Sequence, residues 1–355
     1  MKAFVTGATG LLGNNLVRAL EAGGHEVRAL ARNAAKAERV LHGTAARVIV
    51  GDMKNVAGFA PGLAGCDAVF HTAAYFREAF EPGSDQGELD RINIGATMEL
   101  LDAADSASVP CFVHVSSGGT IGRKSDGSAG DEDTPPLPVQ RDNPYFRSKL
   151  KGDAAIAAWR STSAIRIVEI LPGWIWGPWD AAPTGAGKLI AEFLDRKIPA
   201  NIGGGTSIVD ARDVALAMIA AASRALESRN GVAAAPGQAP HLDKYIVGGR
   251  FLPMRDIMKQ LEAATGVAGP RYEIPHYVLL AYAYGCEAWG RLTGGAPLVT
   301  PTAVRTMHAN IKLDSSKAER ELGVRFRDTA ETCRDSVHWQ RENAGSGNRR
   351  TQRPV

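Results

Sequence analysis

Short apolar runs alternate with longer amphipathic segments up to about residue 171. The apolar runs span residues 3–5, 27–30, 48–50, 68–70, 111–115 and 165–170. Several of them precede apolar positions at helical spacing, over residues 12–22, 94–104 and 145–159. Strands that alternate with helices in this way are typical of a parallel sheet covered by helices on both faces. We therefore predict an α/β fold built on a doubly wound parallel sheet.

The pattern changes after Pro172, where glycine and proline become dense up to residue 205. Helical patterns then span residues 211–225, 254–265 and 275–292, and a short strand pattern covers residues 245–247. We predict a nucleotide-binding domain over residues 1–171 and a smaller, mainly substrate-binding domain over residues 172–342, with segments that return to the sheet. Residues 343–355 are polar and rich in glycine and arginine, which predicts a disordered tail.

Composition excludes several classes of protein. The chain has 355 residues, with 41 lysines and arginines against 38 aspartates and glutamates, which argues against a nucleic-acid binder. No apolar run reaches the roughly 18 residues of a membrane span, so we expect no membrane contact. A strand pattern follows Met1 almost at once and leaves no room for a signal peptide, so we expect a cytoplasmic protein. The four cysteines form no paired motif, and no metal site is expected.

A glycine-rich turn follows the first strand and opens the first helix. In this context Gly7 allows a tight turn, Gly10 lets backbone amides approach a pyrophosphate, and Gly13 lets helix and strand pack closely. A merely flexible turn is the alternative, but the strand–turn–helix context favours dinucleotide binding. The residues that we expect to contact the dinucleotide here are Gly7, Thr9, Gly10, Leu11 and Leu12.

The end of the second strand indicates which dinucleotide binds. An NAD site normally ends this strand with Asp or Glu, which accepts a hydrogen bond from the ribose 2′-hydroxyl. Here the strand ends without a carboxylate, and Arg32 can pair with a 2′-phosphate, with Lys36 one turn later as a second cation. Alternatively, Arg32 is only a solvated surface charge. We predict NADP(H) as the cofactor.

Three residues form a candidate catalytic group. Tyr145 and Lys149 stand four apart, behind the capping pair Asn143 and Pro144, so they share one helix face. A nearby ammonium lowers the pKa of a phenol, which would let Tyr145 exchange a proton near neutral pH. Alternatively, Lys149 is only a surface cation beside the half-buried ring of Tyr145.

Ser117 lies at the end of the fifth strand and is our candidate for binding the substrate oxygen, in preference to Ser116. Alternatively, the two serines only form a turn.

Further motifs carry a family resemblance. They are Gly51-Asp52-Met53, His71-Thr72-Ala73-Ala74, Asn93-Ile94-Gly95-Ala96-Thr97 and Pro172-Gly173-Trp174-Ile175-Trp176-Gly177-Pro178. Over nearly its whole length the chain resembles the extended short-chain dehydrogenases/reductases, especially the dihydroflavonol-reductase-like branch. The resemblance implies a Rossmann fold in which Lys149 also holds the nicotinamide ribose. It also implies cofactor contacts from Asp52, Met53, Ala73, Ala74, Pro172, Gly173 and Ile175.

The chain departs from the nucleotide-sugar enzymes of this family at two places. They usually carry an asparagine just after the sixth strand, where this chain has Leu171-Pro172-Gly173-Trp174, and an arginine that has no counterpart near residues 205–208. A diphosphate needs such donors and cations. We therefore expect a smaller or apolar carbonyl substrate, with Tyr75 and Trp174 in its pocket. The aromatic residues Tyr282, Tyr284 and Trp289 are assigned to packing.

The leading hypothesis is an NADP-dependent reductase of a ketone or aldehyde. A nucleotide-sugar epimerase or dehydratase, of the type labelled hopanoid-associated, is the alternative, and a non-catalytic NADP-sensing protein is a third hypothesis. The helices over residues 93–104 and 145–159 resemble those that form a four-helix dimer contact in many relatives, so we expect a homodimer.

Overall fold

A seven-stranded parallel sheet forms the centre of the protein. The computed structural model describes residues 1–75, 86–159, 165–228, 242–293 and 299–347. The strands are β1 (Lys2–Thr6), β2 (Glu26–Ala31), β3 (Arg47–Val50), β4 (Ala68–His71), β5 (Cys111–Val115), β6 (Arg166–Pro172), β7 (Trp174–Trp176), β8 (Gly205–Asp210), β9 (Leu242–Val247) and β10 (Arg250–Pro253). The main sheet has the order β3-β2-β1-β4-β5-β6-β9, and its strand pairings are parallel.

Helices cover both faces of this sheet. They are α1 (Leu11–Ala22), α2 (Ala34–Val40), α3 (Gln86–Asp90), α4 (Ala96–Ser106), α5 (Pro138–Asp142), α6 (Pro144–Ala158), α7 (Gly185–Leu194), α8 (Ala211–Ser228), α9 (Met254–Thr265), α10 (His276–Thr293), α11 (Pro301–His308), α12 (Ser316–Leu322) and α13 (Thr329–Gly347). Alternate strand residues pack against α1 and α8 on one face and against α4 and α6 on the other. The predicted doubly wound parallel sheet is therefore confirmed.

A second, smaller sheet lies in the C-terminal half of the chain. It has the order β10-β8-β7, and a separate apolar core forms between it and α7, α9 and α13 around Trp176, Phe193 and Leu261. The strand β9 instead joins the main sheet beside β6. The domain boundaries given above stay predictions.

The sequence pattern missed several C-terminal elements. The glycine- and proline-rich stretch contains β7 and α7, because Ala186, Ile190 and Phe193 bury one helix face against the second core. The last helix runs to Gly347, so residues 343–347 of the predicted disordered tail are helical. That helix is anchored upstream by the buried Cys333 and Val337, and each further turn adds to a helix already formed. Residues 348–355 lie outside the described residues.

The helix α10 also departs from expectation. Tyr282, Tyr284 and Trp289 are 54%, 47% and 69% exposed, so their assignment to packing is wrong. Only a narrow stripe of this helix, with Leu279 and Ala283, packs toward α11. No helix within the described ranges is long and apolar enough to cross a membrane.

Close backbone contact at Gly13 generates a first testable prediction. A Cβ there would overlap the Gly7 carbonyl oxygen and lie 2.9 Å from the Ala8 Cα, and backbone atoms cannot rotate aside. We expect Gly13→Ala to lower the free energy of unfolding by about 1–3 kcal/mol, measured by urea denaturation. The control is Gly285→Ala in α10, where the new Cβ meets nothing within 4 Å and helix propensity favours alanine by up to about 1 kcal/mol. Wild-type stability of Gly13→Ala would contradict the prediction.

Candidate active site

The glycine-rich turn forms a cradle at the carboxyl edge of the main sheet. Gly7 has a φ of +67°, and a Cβ there would lie 2.7 Å from the Ala73 amide nitrogen. The amide of Gly10 donates to the Gly7 carbonyl at 2.9 Å, and α1 begins at the next residue without a side-chain cap. First-turn amides and the positive end of the helix dipole therefore face this edge, which suits a pyrophosphate. The side chains of Leu11 and Leu12 are buried, so only their backbone can contact a ligand there.

Arg32 lies just beyond the end of β2 and is exposed to solvent. Within the described residues it has neither a hydrogen bond nor an ion pair. Its neighbour Asn33 caps α2 by accepting from the Lys36 amide at 2.9 Å, which places Lys36 on the first turn of that helix. The end of β2 thus offers an uncommitted guanidinium and no carboxylate.

The remaining predicted cofactor residues follow other strands of the same sheet. Asp52 and the buried Met53 come just after β3, where the Asp52 carboxylate accepts from the Lys54 amide at 3.0 Å. Ala73, next to the half-buried Ala74, donates its amide to the Thr6 hydroxyl oxygen at 3.3 Å. Pro172 is the last residue of β6, Gly173 follows it directly, and Ile175 lies in β7. The structure thus brings these residues to one edge, while their individual roles stay predictions.

The helix α6 carries Tyr145 and Lys149 into this edge. The Asn143 side chain accepts from the amides of Tyr145 and Phe146 at 3.0 and 3.2 Å, and Pro144 occupies the first helical position, as predicted. Tyr145 and Lys149 are buried, with exposures of 7% and 3%. The Lys149 Nζ donates to the Val115 carbonyl at 2.8 Å, which joins α6 to the end of β5.

Ser117 follows the end of β5 and lies close to α6. Its Oγ accepts from the Gly119 amide at 3.1 Å. A Cβ on Gly119 would overlap the Phe146 ring, so this loop packs directly against the first turn of α6. Ser116 is engaged elsewhere, because its Oγ donates to the buried Asp153 at 2.8 Å. Of the two serines, Ser117 is therefore the one whose hydroxyl is not bound to Asp153. It lies beside α6, the helix of Tyr145.

The pKa of Tyr145 differs from the sequence-based expectation. Burial, with a smaller contribution from the charge of Asp153, raises this pKa, so the predicted lowering is wrong for the protein on its own. Burial lowers the pKa of Lys149 to about 8, although the charges of Asp153 and Glu169 oppose the shift. At neutral pH the tyrosine is therefore protonated and the lysine is mainly charged.

A comparison with known proteins identifies the family. The family model described as NAD dependent epimerase/dehydratase family matches residues 3–233, which is more than half of the chain. The chain belongs to the NAD dependent epimerase/dehydratase family. The resemblance to extended short-chain dehydrogenases/reductases is thereby confirmed, and the cradle at Gly7 and Gly10 fits the nicotinamide dinucleotide on which this family depends.

Relatives of this family member include reductases. A protein of Synechocystis sp. named "Putative dihydroflavonol 4-reductase" is 32% identical over 338 residues, covering 95% of this chain and 93% of that protein. The 4-hydroxy-2-methyl-3-oxo-4-farnesyl-3,4-dihydroquinoline-1-oxide ketoreductase of Stigmatella aurantiaca is 29% identical over 352 residues, covering 98% of each chain. The crystal structure of gox2253 is 27% identical, with a TM-score of 0.79 over 96% of this chain and 98% of that chain.

Two positioning residues of this epimerase/dehydratase-family site escaped the sequence-based list. Asn93, in a π-helical turn (Arg91–Gly95), accepts from the Tyr75 amide at 2.7 Å and donates to the Ser148 hydroxyl at 3.0 Å, which ties the loop after β4 to α6. Gln140 donates to the carbonyls of Gly119 and Ile121 at 2.8 and 2.7 Å and so holds the loop after Ser117. Asn93 belongs to one of the motifs of the family resemblance but was given no role there, whereas Gln140 gives no local signal.

The two predicted substrate residues have different surroundings. Tyr75 is half-buried at the end of the described loop after β4. Trp174 is half-buried in β7, packs edge-on to Trp176 at a ring separation of 5.2 Å, and contributes to the second core. Trp174 thus has a packing role, and the substrate role of both residues stays a prediction.

Proposed function

We propose that this family member is an NADP-dependent reductase that adds hydride to a ketone or aldehyde of a small or apolar substrate. The observation that carries the proposal is the buried, protonated phenol of Tyr145 beside the buried ammonium of Lys149, next to the Ser117 loop. Reduction of a carbonyl needs an acid at the substrate oxygen, and a phenol whose pKa is raised by burial holds its proton for that purpose.

Each residue of the group has a distinct task. Ser117 orients the carbonyl oxygen by a hydrogen bond, and Tyr145 donates the proton that this oxygen gains. Lys149 stabilises the phenolate left behind, since an ammonium held nearby in a desolvated site acts more strongly than in water. NADPH, when bound, supplies the hydride. The amides around Gly10 would hold its pyrophosphate, and Arg32 with Lys36 would hold its 2′-phosphate.

One relative and the residues after β6 support the substrate class. The Stigmatella aurantiaca relative is named as a ketoreductase of a farnesyl-bearing compound, which is largely apolar. Just after β6 this chain has Gly173 and Trp174, where the nucleotide-sugar enzymes of the family usually carry an asparagine. The family description keeps a nucleotide-sugar epimerase or dehydratase as the second candidate. A screen of carbonyl compounds and nucleotide sugars, followed by NADPH absorbance and product analysis, distinguishes the two.

Substitution of Tyr145 tests the proton donor. Tyr145→Phe removes one oxygen, so we expect an unchanged fold and cofactor affinity, with turnover reduced about 10²–10⁴-fold. The control is Tyr245→Phe, which removes the hydroxyl of another buried tyrosine, one that bonds Glu321 away from this edge. Near-wild-type turnover of Tyr145→Phe would reject the assignment.

Substitution of Arg32 tests the cofactor. A charge-assisted hydrogen bond contributes about 1.5–3 kcal/mol, so Arg32→Ala should weaken NADPH binding about ten- to a hundredfold and leave NADH binding almost unchanged. Arg39→Ala, which removes an exposed arginine later on α2, is the matched control. The measurement is a titration of both cofactors against the three proteins. Preference of the wild type for NADH, or equal weakening of both cofactors, would leave Arg32 as a solvated charge.

We also propose a homodimer through α4 and α6. In support, the outer surface of α6 presents the small exposed side chains of Ala154, Ala157 and Ala158, and Met98 on α4 and Leu150 on α6 are half-buried. Small uncharged side chains allow close approach of helices. Light scattering should give twice the monomer mass at high micromolar concentration, and Ala157→Glu should shift it toward monomer. A monomer alone at that concentration contradicts the proposal.

A further inference from the structure

A row of polar residues crosses one face of the main sheet at its carboxyl edge. In register, Thr6 pairs with His71, His71 with His114, His114 with Glu169, and Glu169 with Lys244. Paired residues of parallel strands share a face, and here it is the face covered by α4 and α6. The first four members are buried, whereas the Lys244 side chain is 36% exposed. The row therefore runs from the sheet centre to the surface.

The two histidines of the row differ in their hydrogen bonds. His71 bonds the hydroxyls of Thr6 and Thr97 through its two ring nitrogens, at 2.8 and 3.0 Å. In contrast, neither ring nitrogen of His114 has a hydrogen-bond partner within the described residues, and the same holds for the Asp153 Oδ1 and the Glu169 Oε1, whereas the Glu169 Oε2 is ion-paired with Lys244. Among the described residues, four buried polar atoms on these three side chains therefore have no partner.

These atoms lie close together. The Asp153 Oδ1 is 3.9 Å from the His114 Nε2, and the Glu169 Oε2 is 3.1 Å from the Lys244 Nζ. A buried polar atom without a partner loses its hydration with no compensation, and native proteins satisfy such groups with internal water. The gap between Asp153 and His114 is too long for a direct hydrogen bond and suits a bridging water.

The same cluster touches the candidate active site. Asp153 lies one helical turn after Lys149 on α6, and its other oxygen is fixed by the Ser116 hydroxyl at 2.8 Å. The charges of Asp153 and Glu169 both act on the Lys149 ammonium. Lys149, Asp153, His114, Glu169 and Lys244 thus lie, in this order, between the candidate active site and the surface.

We propose that Asp153 and Glu169, with water held between them and His114, form a proton path that connects Lys149 to Lys244 at the surface. This inference rests on the proposed reductase function, because each carbonyl reduced consumes one proton. The substrate oxygen takes the Tyr145 proton, the phenolate takes one from Lys149, and the amine takes one from the Asp153–Glu169 pair. A proton from solvent beside Lys244 then restores the pair. Apart from the hydride transfer that the proposed reduction requires, no other bond changes.

The charges around the pair suit this task. Burial and the charge of Asp153 raise the pKa of Glu169 to about 7, while Lys244 and Lys149 oppose the shift. Asp153 also has a raised pKa through burial, opposed by Ser116, Lys149 and Lys244. His114 stays neutral, since burial and the charges of Lys149 and His71 hold its pKa well below its usual value. Glu169 is therefore the member of the pair that we expect to gain and lose a proton near neutral pH.

Carboxyl carbon NMR of the protein without cofactor tests the pair directly. The spectrum of Glu169→Gln assigns the Glu169 signal, which we expect to titrate near pH 7 in the wild type. Asp153→Asn removes a like charge and should move this titration toward the value of free glutamate, about 4.3. Lys244→Met removes an opposite charge and should move it upward. If Asp153→Asn does not fold, the Glu169 titration in Lys244→Met alone decides the outcome. Titration of wild-type Glu169 in the ordinary carboxylate range, or no response to the folded variants, overturns the proposal.

Turnover tests the transfer itself. Glu169→Gln should reduce kcat about ten- to a hundredfold. This loss is no larger than the roughly 10²–10⁴-fold loss expected on removal of a direct general acid. The substitution should also increase the solvent deuterium isotope effect, and imidazole should restore rate, while KM changes little. Glu321→Gln, a carboxylate variant on the far side of β9, should match the wild type in these readouts. If Glu169→Gln is less stable, its isotope effect is unchanged and imidazole does not restore the rate, Glu169 has only a structural role. That result overturns the proposed path. A wild type that reduces no carbonyl compound refutes the proposed function, and the NMR titration still decides whether the pair shares a proton.

Discussion

The buried ammonium of Lys149 is the constraint around which the candidate active site is arranged. Removal of a charge from water is costly, and the pKa of Lys149 falls to about 8 as a result. The chain offsets this cost in two ways. The Nζ donates to the Val115 carbonyl at the end of β5, and Asp153 and Glu169 supply negative charge on the far side. A neutral side chain of similar length would need neither arrangement, so the buried carboxylates are best understood through Lys149.

The same constraint accounts for the contacts that fix α6 against the sheet. A buried charge is stabilised only while its partners stay in place, because the interaction falls steeply when water enters. Asn143 fixes where the helix begins, and Asn93 joins Ser148 on that helix to the backbone of Tyr75. Gln140 holds the loop of Ser117 from the opposite side. None of these three side chains belongs to the proposed reacting group, yet each limits how that group moves.

Much of this arrangement could be predicted from the sequence because it depends on local patterns. The strand–turn–helix around Gly7, the cap at Asn143 and the four-residue spacing of Tyr145 and Lys149 are short-range features, and the structure contains all of them. The pKa of Tyr145 could not be predicted in the same way. Its direction depends on how completely the ring is buried and on the charge of Asp153, both of which raise the pKa. The polar row was missed for a related reason, since His114, Glu169 and Lys244 become neighbours only once the strands pair in register.

Register also explains why this row lies where it does. Two residues earlier on the same strands, Val69, Phe112 and Ile167 face the same side and form the apolar core under α4 and α6. The change from apolar to polar occurs at the last residue of β1 and β4, whereas β6 and β9 continue beyond Glu169 and Lys244 to the buried, apolar Leu171 and Ile246. If the histidine and carboxylate side chains served only to end the core, hydrogen bonding would satisfy them as it satisfies His71. The ring nitrogens of His114 have no such partner within the described residues, and its Nε2 lies 3.9 Å from the Oδ1 of Asp153, one helical turn after Lys149. Burial keeps the proton on Tyr145 and separates the phenol from solvent, and the proton path that we propose would reach it through this polar row.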